Sequence, residues 1–286
     1  MILDIDPKVD YAFKRVYGRE ENRDVLESIL EAVLAGTEFG SISDLEILNP
    51  FNERATADDR LSIVDVRARQ KSGELFNVEM QLLSFKALPQ RLLYYWAVSY
   101  AEQLEKGEPY DGLKPTIVIC FADFVVFPGS PGCHTRFRVI EDHGRALCSD
   151  LEIHLLELPK FSADPNAVLT PLDQWLFFLK NAKDIDCDQI PPCLTLPEIH
   201  QALEELQMIS LNDADRELYR SRRKQALDEF SRRAESFSTG RLVGRIQLLQ
   251  SLLGQEETSA AQLDALAIDD LRQMELELKV QLANRS

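Results

Sequence analysis

Two neighbouring β-rich segments, followed by a helical segment and a short apolar run, constrain the fold of this chain most strongly. Residues 61–69 and 75–83 both have the composition of strands, and Lys71-Ser72-Gly73-Glu74 between them predicts a turn. Helical periodicity then covers Leu88 to Lys106. The run Thr116 to Phe121 (TIVICF) is typical of a strand that is buried on both faces. The sequence therefore predicts a hairpin, a helix and a central strand, in that order.

Helical and β-rich segments flank this centre. Apolar residues recur at helical spacing from Pro7 to Gly18 and from Glu20 to Ala35, and residues 42–48 have the composition of a strand. Further β-rich segments cover residues 135–141 and 151–158, and the chain after Pro159 is almost wholly helical in pattern. We therefore expect an α/β fold, with a mixed central sheet flanked by helices, followed by an all-α C-terminal region.

The C-terminal region begins near a proline-rich stretch at residues 190–197, which predicts a linker. Beyond it the sequence predicts one long polar helix over residues 212–237 and three shorter helices over 239–253, 259–267 and 269–283. Ser259 and Asp269 are suitable N-caps for the last two helices. We expect a first domain at 1–185 and a helical region at 186–286, which ends in a small helical module at about 239–286.

Charge and composition exclude some classes of protein. The formal net charge of −16 opposes a protein that coats nucleic acid without specificity, because such binding needs many Lys and Arg side chains on the phosphates. It does not oppose an enzyme whose site concentrates carboxylates. No apolar run is long enough to span a bilayer, and the first residues lack the features of a signal peptide, so we expect a cytoplasmic protein without membrane contact.

Three polar residues in the predicted hairpin are candidates for chemistry. Asp65 lies between two valines in one strand, and Glu79 and Gln81 share a face of the other strand, because side chains alternate along a strand. If the turn closes around Ser72-Gly73, Asp65 lies two to three positions beyond the residue opposite Glu79, and a bulge or register offset must bring the faces together. Two carboxylates and an amide oxygen suit Mg²⁺ or Mn²⁺. The alternative is that both acidic side chains face solvent at the sheet edge.

An ordered set of short motifs carries a family resemblance over roughly residues 6–180. The chain resembles the recombination-promoting nuclease and transposase-like family of the PD-(D/E)XK nuclease superfamily, which has a restriction-endonuclease-like core. The matching segments are Asp10-Tyr-Ala-Phe13-Lys14, Val64-Asp65-Val66, Asn77-Val78-Glu79-Met80-Gln81, Gln90-Arg91-Leu-Leu-Tyr94-Tyr95-Trp96, Gly107-Glu-Pro-Tyr110, Leu113-Lys-Pro115 and Leu156-Glu157-Leu158-Pro159-Lys160.

The resemblance implies roles for residues of the hairpin and of the first helix. It implies that Asp65 and Glu79 are metal ligands, and that Gln81 occupies the position where many superfamily members carry lysine. Glutamine can hydrogen-bond the attacking water but carries no charge, so Lys14 is a candidate for the missing cation. The alternative for Lys14 is an exposed charge on a helix. Asp10 either supports the site or only caps and solvates its helix.

The helix after the second hairpin strand carries candidates for substrate binding. Gln90 and Tyr94 are four residues apart and share one face, and this spacing resembles the QxxxY motif of RecB-like nucleases. Arg91 lies beside them and is a candidate for a phosphate contact. The alternative is that Tyr94, Tyr95 and Trp96 pack in the core.

Two functional hypotheses follow. The first is a divalent-metal-dependent DNA endonuclease with a role, implied by resemblance, in DNA recombination, DNA mobility or defence. The second is a catalytically weak or inactive protein of nuclease fold that binds DNA or assembles with other proteins, with homo-oligomers formed through the C-terminal helices. The basic run at Arg220, Arg222, Arg223 and Lys224 either follows a DNA backbone or forms a solvated, salt-bridged helix face.

Overall fold

A computed structural model describes residues 2–49, 65–162 and 164–284. The chain divides into two compact units, Met1–Arg223 and Lys224–Ser286. In the described ranges, no helix combines the length and the apolar character that crossing a bilayer requires.

A mixed sheet forms the centre of the first unit. In the described residues it has six strands, which are β1 (Glu46–Ile47), β2 (Val66–Arg69), β3 (Leu75–Gln81), β4 (Thr116–Ala122), β5 (His134–Arg138) and β6 (Leu151–Glu157). The strands lie in the order β1-β2-β3-β4-β6-β5. Strand β4 pairs parallel with β3 and with β6, and the remaining pairs are antiparallel. This arrangement confirms the predicted α/β fold with a mixed sheet.

Helices cover both faces of this sheet. Helix α3 packs on one face through its buried Leu88 and Leu92, and four other helices pack together on the opposite face. The helices of the first unit are α1 (Asp10–Tyr17), α2 (Arg23–Leu34), α3 (Leu88–Ala101), α4 (Pro171–Asn181) and α5 (Pro197–Leu211). The sheet therefore separates two apolar layers, and a strand in its middle must bury both of its faces.

Strand β4 shows why the TIVICF segment is continuously apolar. All seven of its residues are buried. Ile117, Ile119 and Phe121 belong to the layer beneath the four helices, whereas Val118 and Cys120 belong to the layer beneath α3. Successive side chains along the strand enter different apolar layers. Both the odd- and the even-numbered residues must therefore be apolar. The prediction of a strand buried on both faces is confirmed.

The strands are shorter than the sequence predicted. Strand β1 has two residues, where a strand over 42–48 was expected. Strand β2 begins at Val66, so Asp65 lies in a bend at its start rather than inside a strand. The predicted start of that strand, residues 61–64, lies outside the described residues. Strand β3 ends at Gln81, and the expected extension to residue 83 was wrong.

Two helical predictions in the first unit were also wrong in part. Helix α3 ends at Ala101 rather than at Lys106, and Gly107 lies in a later turn with a φ of 98°. Helix α5 was not predicted, although it begins with Pro197 at its first position, where the missing N–H costs nothing. The proline-rich stretch before it forms no regular helix or strand, but it lies within the first unit and buries Leu194 in its core.

Helix α5 explains why the first unit extends to Arg223 rather than to the boundary predicted near residue 185. It packs against α1 and α2 through buried residues that include Ile199 and Leu206. The buried Arg15 of α1 donates from Nε to Glu205 of α5 at 3.2 Å and from Nη1 to Asp215 at 2.9 Å. These contacts join residues 197–215 to the core of the first unit.

The remaining helices are α6 (Asp213–Leu252), α7 (Ala260–Asp264) and α8 (Ile268–Ala283). Helix α6 is continuous, so the break predicted between residues 237 and 239 was wrong. Ser259 caps α7 by accepting from Gln262 N, which confirms that prediction, whereas α8 is preceded by Ala267 as its N-cap rather than by Asp269. In the second unit, buried residues such as Leu242, Ile246 and Leu271 form a small apolar core.

Candidate active site

The turn between β2 and β3 fixes the position of Asp65 relative to Glu79. Gln70 N donates to Glu74 O, and Gly73 takes a φ of 112°, where L side chains are strained. A Cβ at Gly73 would also lie 2.7 Å from Lys114 Cγ. The ladder pairs Val66 with Val78, and one further step places Asp65 opposite Glu79. The predicted offset of two to three positions was therefore wrong, and no bulge is needed.

Hydrogen bonds from the backbone hold the Asp65 and Glu79 carboxylates. Asp65 N donates to Glu79 Oε1 at 3.0 Å, and Met80 N donates to Asp65 Oδ2 at 2.9 Å. Glu79 is 1% exposed. Opposite residues of an antiparallel pair project from the same face, so both carboxylates lie on the face that α3 covers. The backbone therefore holds two acidic side chains together in a place with little solvent.

This placement changes the acidity of both groups. Burial, and after it repulsion from Asp65, raises the pKa of the Glu79 carboxyl to about 8. Burial raises the pKa of Asp65 to about 6, against the attraction of Lys14. Two buried carboxylates that repel each other favour either a shared proton or a bound cation. Shifted pKa values of this kind cluster at functional sites.

Helix α1 brings a lysine and a third carboxylate to this pair. Lys14 Nζ lies 2.7 Å from Asp10 Oδ1 and 3.5 Å from Asp65 Oδ1, and the side chain is 23% exposed. Burial favours the neutral amine, but the two carboxylates outweigh it and raise the pKa of Lys14. Lys14 is therefore not the exposed helix charge of the alternative interpretation. Asp10 lies within the cluster and holds Lys14 beside Asp65.

Gln81 continues the face that carries Glu79. Its Nε2 donates to Glu79 Oε2 at 2.8 Å, so the two side chains share a face as the alternation predicted. This bond orients the Glu79 carboxylate. It also places the Gln81 amide, in the position that lysine takes in many superfamily members, next to the acidic pair.

Helix α3 contributes an arginine and a tyrosine, but not the pair expected from the QxxxY spacing. Arg91 Nη2 lies 3.9 Å from Glu79 Oε2, and Arg91 Nε donates to the Tyr95 hydroxyl. The Arg91 guanidinium also lies over the rings of Phe85 and Tyr95. Gln90 and Tyr94 are exposed on the outer side of the helix. The structure thus brings Arg91 to the acidic pair and leaves Gln90 and Tyr94 away from it.

Tyr95 and Asn49 are parts of the site that the sequence reasoning did not assign to it. Tyr95 is 7% exposed and bonds Arg91. Asn49 Oδ1 accepts from Arg67 N, and its Nδ2 donates to Asp65 O at 3.4 Å, so Asn49 fixes the backbone at the start of β2. The Arg91–Tyr95 spacing of four residues was a usable signal for Tyr95. No local pattern indicated Asn49.

The donor set can be compared with the needs of a divalent cation. In the described part of the chain, no three His, Cys, Asp or Glu side chains are grouped closely enough to hold a metal ion. Asp65 and Glu79 supply carboxylate oxygens and Gln81 supplies an amide oxygen, all of which are hard ligands. Mg²⁺ commonly binds through one or two carboxylates and keeps several waters. The chemistry of these residues therefore fits Mg²⁺ or Mn²⁺.

Comparisons with known proteins give one match. No curated protein and no solved structure matches the chain significantly. A family model described as PD-(D/E)XK nuclease family transposase matches residues 7–235, which are 229 of the 286 residues. The matched range contains the mixed sheet, the hairpin with Asp65 and Glu79, and the helices on both faces. The chain therefore belongs to the PD-(D/E)XK nuclease family transposases.

Proposed function

We propose that this protein is a divalent-metal-dependent DNA endonuclease that hydrolyses phosphodiester bonds. The observation that carries the proposal is the Asp65–Glu79 pair, two buried carboxylates fixed opposite each other by backbone hydrogen bonds. Such a pair is costly in a protein that makes no use of it, because both charges lose hydration. Membership of the nuclease family supports DNA as the substrate.

Each residue of the site has a distinct role in this proposal. Asp65 and Glu79 hold Mg²⁺ or Mn²⁺ and are its metal ligands. The cation, when bound, lowers the pKa of a water and offsets negative charge on the phosphodiester. Gln81 positions the attacking water by hydrogen bonding, while its amide also orients Glu79. Lys14 supplies the positive charge that Gln81 lacks, and Asp10 holds it in place.

DNA must approach an acidic protein through a local basic path. Among the described residues, Lys14 lies beside Asp65 and Arg91 beside Glu79, and Arg91 is 38% exposed in its side chain, so it can contact a phosphate. Gln90 and Tyr94 are exposed on the same helix and extend this surface along the duplex. The run Arg220 to Lys224 is exposed on α6 and is a second candidate for phosphate contact.

A cleavage assay tests this proposal. Purified protein is incubated with supercoiled and linear DNA in Mg²⁺, Mn²⁺ or EDTA, beside Asp65→Asn, Glu79→Gln and the matched control Glu46→Gln on the exposed edge of β1. We expect metal-dependent nicking in the wild type and in Glu46→Gln, and none in the two site variants. Isothermal titration of Mn²⁺ provides a readout other than activity, in which the site variants should lose binding.

A second candidate function has a specific observation in its favour. Each oxygen of the acidic pair already has a donor within the chain, which is Lys14, Met80 N, Asp65 N or Gln81. Carboxylate oxygens that are all hydrogen-bonded or ion-paired within the chain suit a catalytically weak or inactive protein that binds DNA or assembles with other proteins. A folded wild type that cleaves no DNA in any metal, and binds no Mn²⁺, would favour this candidate.

Assembly and biological role are further parts of the proposal. Exposed apolar residues on α6 and α8, among them Leu248 at 59% and Leu276 at 58%, support a homo-oligomer formed through the C-terminal helices. Analytical ultracentrifugation of the wild type and Leu248→Glu tests this. The family description supports a role in DNA mobility or recombination, and defence against foreign DNA is the related alternative. Transposition assays with the Glu79→Gln variant distinguish a catalytic role from a binding role.

A further inference from the structure

Strand β5 forms one edge of the sheet and has backbone groups directed away from it. In the described residues it pairs with β6 alone. Cys133 O accepts from Glu157 N, so Cys133 belongs to the residues that direct their amides toward β6. In an antiparallel pair, the residues between these direct their backbone N–H and C=O groups away from the partner strand. His134, Arg136 and Arg138 therefore present N–H and C=O groups to whatever lies beside the edge.

An apolar cavity lies next to this edge, on the face that α3 covers. It has a volume of about 260 Å³ and is lined mostly by apolar side chains, including Leu92, Phe137 and Ile153, with Arg138 also at its wall. Leu93, Phe137 and Val139 at its walls are 50%, 39% and 39% exposed. Helix α3 separates this cavity from Glu79, because Arg91 lies on its other side. The cavity is therefore distinct from the candidate active site.

The opposite face of the same edge carries two arginines. Arg136 and Arg138 lie across from His154 and Glu152, on the face away from α3. Arg136 is paired with Glu152, whereas Arg138 is exposed and makes no ion pair within the described ranges. A strand placed beside β5 would thus meet apolar surface with one set of side chains and arginine with the other set, because its own side chains alternate.

We propose that β5 is a docking edge for an extended, acidic segment of a partner protein, which adds to the sheet as a seventh strand. Apolar side chains of that segment would enter the cavity beside Phe137, and its acidic side chains would lie beside Arg136 and Arg138. Strand addition of this kind obtains affinity from main-chain hydrogen bonds and specificity from pockets for alternate side chains. Opposite charges on neighbouring strands add to it, and like charges oppose it.

Charge also disfavours a second copy of this chain in the registers centred on residues 136 to 138. If two copies of β5 paired antiparallel about an axis at Phe137, Arg136 of each copy would lie opposite Arg138 of the other. With the axis at Arg136 or Arg138, that arginine would oppose itself. Like charges directly opposite each other destabilise a strand pair. Charged side chains on an edge are a common device against self-association, and they leave the edge open to a partner of opposite charge.

The proposal is tested with a labelled synthetic peptide of about seven residues in which glutamate alternates with leucine or valine. Binding to the full chain is measured by fluorescence anisotropy. Two comparison peptides carry lysine in place of glutamate, or N-methyl groups on the amides that would face β5. We expect binding of the acidic peptide only, since the lysine peptide meets like charge and the N-methylated peptide cannot complete the ladder.

Two variants and one matched control locate the contact. Arg138→Glu should weaken binding of the acidic peptide by about tenfold, and Leu93→Asp should weaken it through the cavity. Arg145→Glu makes the same charge change at a highly exposed position beyond β5 and should leave binding unaltered. All three positions are exposed, so folding is expected to be retained and is checked by circular dichroism.

Several outcomes would overturn the proposal. Equal binding of the acidic and lysine peptides, or unchanged binding in Arg138→Glu and Leu93→Asp, would refute the assignment of β5 as a docking edge. Unchanged binding of the N-methylated peptide would show that the peptide does not bind by adding a strand to the sheet. A dimer that dissociates in Arg138→Glu, measured by analytical ultracentrifugation, would assign the edge to a second copy. Loss of oligonucleotide binding in Arg138→Glu, without peptide binding in the wild type, would assign it to nucleic acid.

Discussion

The acidic pair should make the metal-free protein less stable as the pH rises, and Glu79→Gln should remove most of that loss. The pKa of Glu79 is raised from its ordinary value of 4.5 to about 8 by burial and by Asp65. Between these two values the folded state binds more protons than the unfolded state. Stability is therefore present in full below a pH of about 4.5 and is lost as the pH rises through about 8.

The size of the effect follows from the two pKa values. A tenfold change in proton affinity corresponds to about 1.4 kcal/mol. The change from 4.5 to about 8 therefore limits the loss of unfolding free energy between low and high pH to about 5 kcal/mol. Asp65 titrates in the same range and takes part of the proton binding. We therefore expect Glu79→Gln to be about 3 kcal/mol more stable than the wild type at about pH 9.

Urea unfolding in EDTA measures this difference. Both tryptophans, Trp96 and Trp175, lie in the first unit, so their fluorescence reports the unit that contains the site. The wild type, Glu79→Gln and the exposed control Glu46→Gln are compared between about pH 5 and about pH 9. Mg²⁺ should restore the stability of the wild type at high pH and leave the stability of Glu79→Gln unchanged, because a bound ligand stabilises the state that binds it.

The reasoning fails if Glu79→Gln shows the same decline with pH as the wild type. That result would mean that the carboxylate is hydrated or paired at no cost in the folded protein. A decline in Glu46→Gln that is smaller than in the wild type would also contradict it, because Glu46 is exposed and lies outside the site.

Three further predictions address other residues. Lys14→Met should lower DNA cleavage by about 100-fold while Mn²⁺ still binds in isothermal titration, and cleavage at the wild-type rate would contradict its role. Tyr95→Phe should weaken DNA binding more than Tyr94→Phe in anisotropy titrations, since only Tyr95 holds Arg91; the reverse order would restore the QxxxY interpretation. Arg15→Met should cost about 3 kcal/mol in urea unfolding, because it removes the arginine that two buried carboxylates share. Glu205 keeps Arg19 at 3.8 Å and Asp215 keeps the Tyr11 hydroxyl at 2.9 Å, and a cost below about 1 kcal/mol would refute this.

The hairpin shows how far the sequence determines the site. The residue types and their alternation made Asp65, Glu79 and Gln81 candidates, and the structure confirms that the last two share a face. The register was predicted wrongly. A two-residue turn at Ser72-Gly73 would place Asp65 one position beyond the residue opposite Glu79, so the expected two to three positions were too many even for that turn, and a three-residue turn ending at Gly73 shifts the pairing by one further step. The structure adopts the longer turn, in which Gln70 bonds Glu74. A glycine at the third position, with positive φ, is typical of that turn and was the available signal.

Helix α3 shows a choice that the sequence contained but spacing alone could not make. Both Gln90–Tyr94 and Arg91–Tyr95 are separated by four residues. The buried side of the helix is set by Leu88, Leu92, Tyr95 and Ser99, which recur at helical spacing. Tyr95 belongs to this series and Tyr94 does not, so the apolar pattern, more than the motif, predicts which tyrosine turns inward.

The contacts of α1 could not be predicted locally, because they depend on how separate elements meet. Asp10 and Lys14 lie on a helix that packs on the face opposite α3, yet Lys14 reaches Asp65 at the start of β2. That meeting requires the register of the hairpin and the position of α1, which Arg15 fixes through Glu205 and Asp215. Long-range contacts of this kind leave no periodic trace in the sequence.

The position of Lys14 gives a physical reason why glutamine can occupy position 81. A lysine at 81 would place an ammonium on the strand that carries Glu79, on a flexible stem next to Arg91. Lys14 instead delivers its ammonium from a helix, where Asp10 holds it at 2.7 Å and Asp65 lies within 3.5 Å. The net charge near the acidic pair is then retained, while the neutral Gln81 amide can donate to Glu79 and accept from a water. Under the proposed function, the charge and the hydrogen bonding that one lysine would combine are divided between Lys14 and Gln81, and each can be removed separately by mutation.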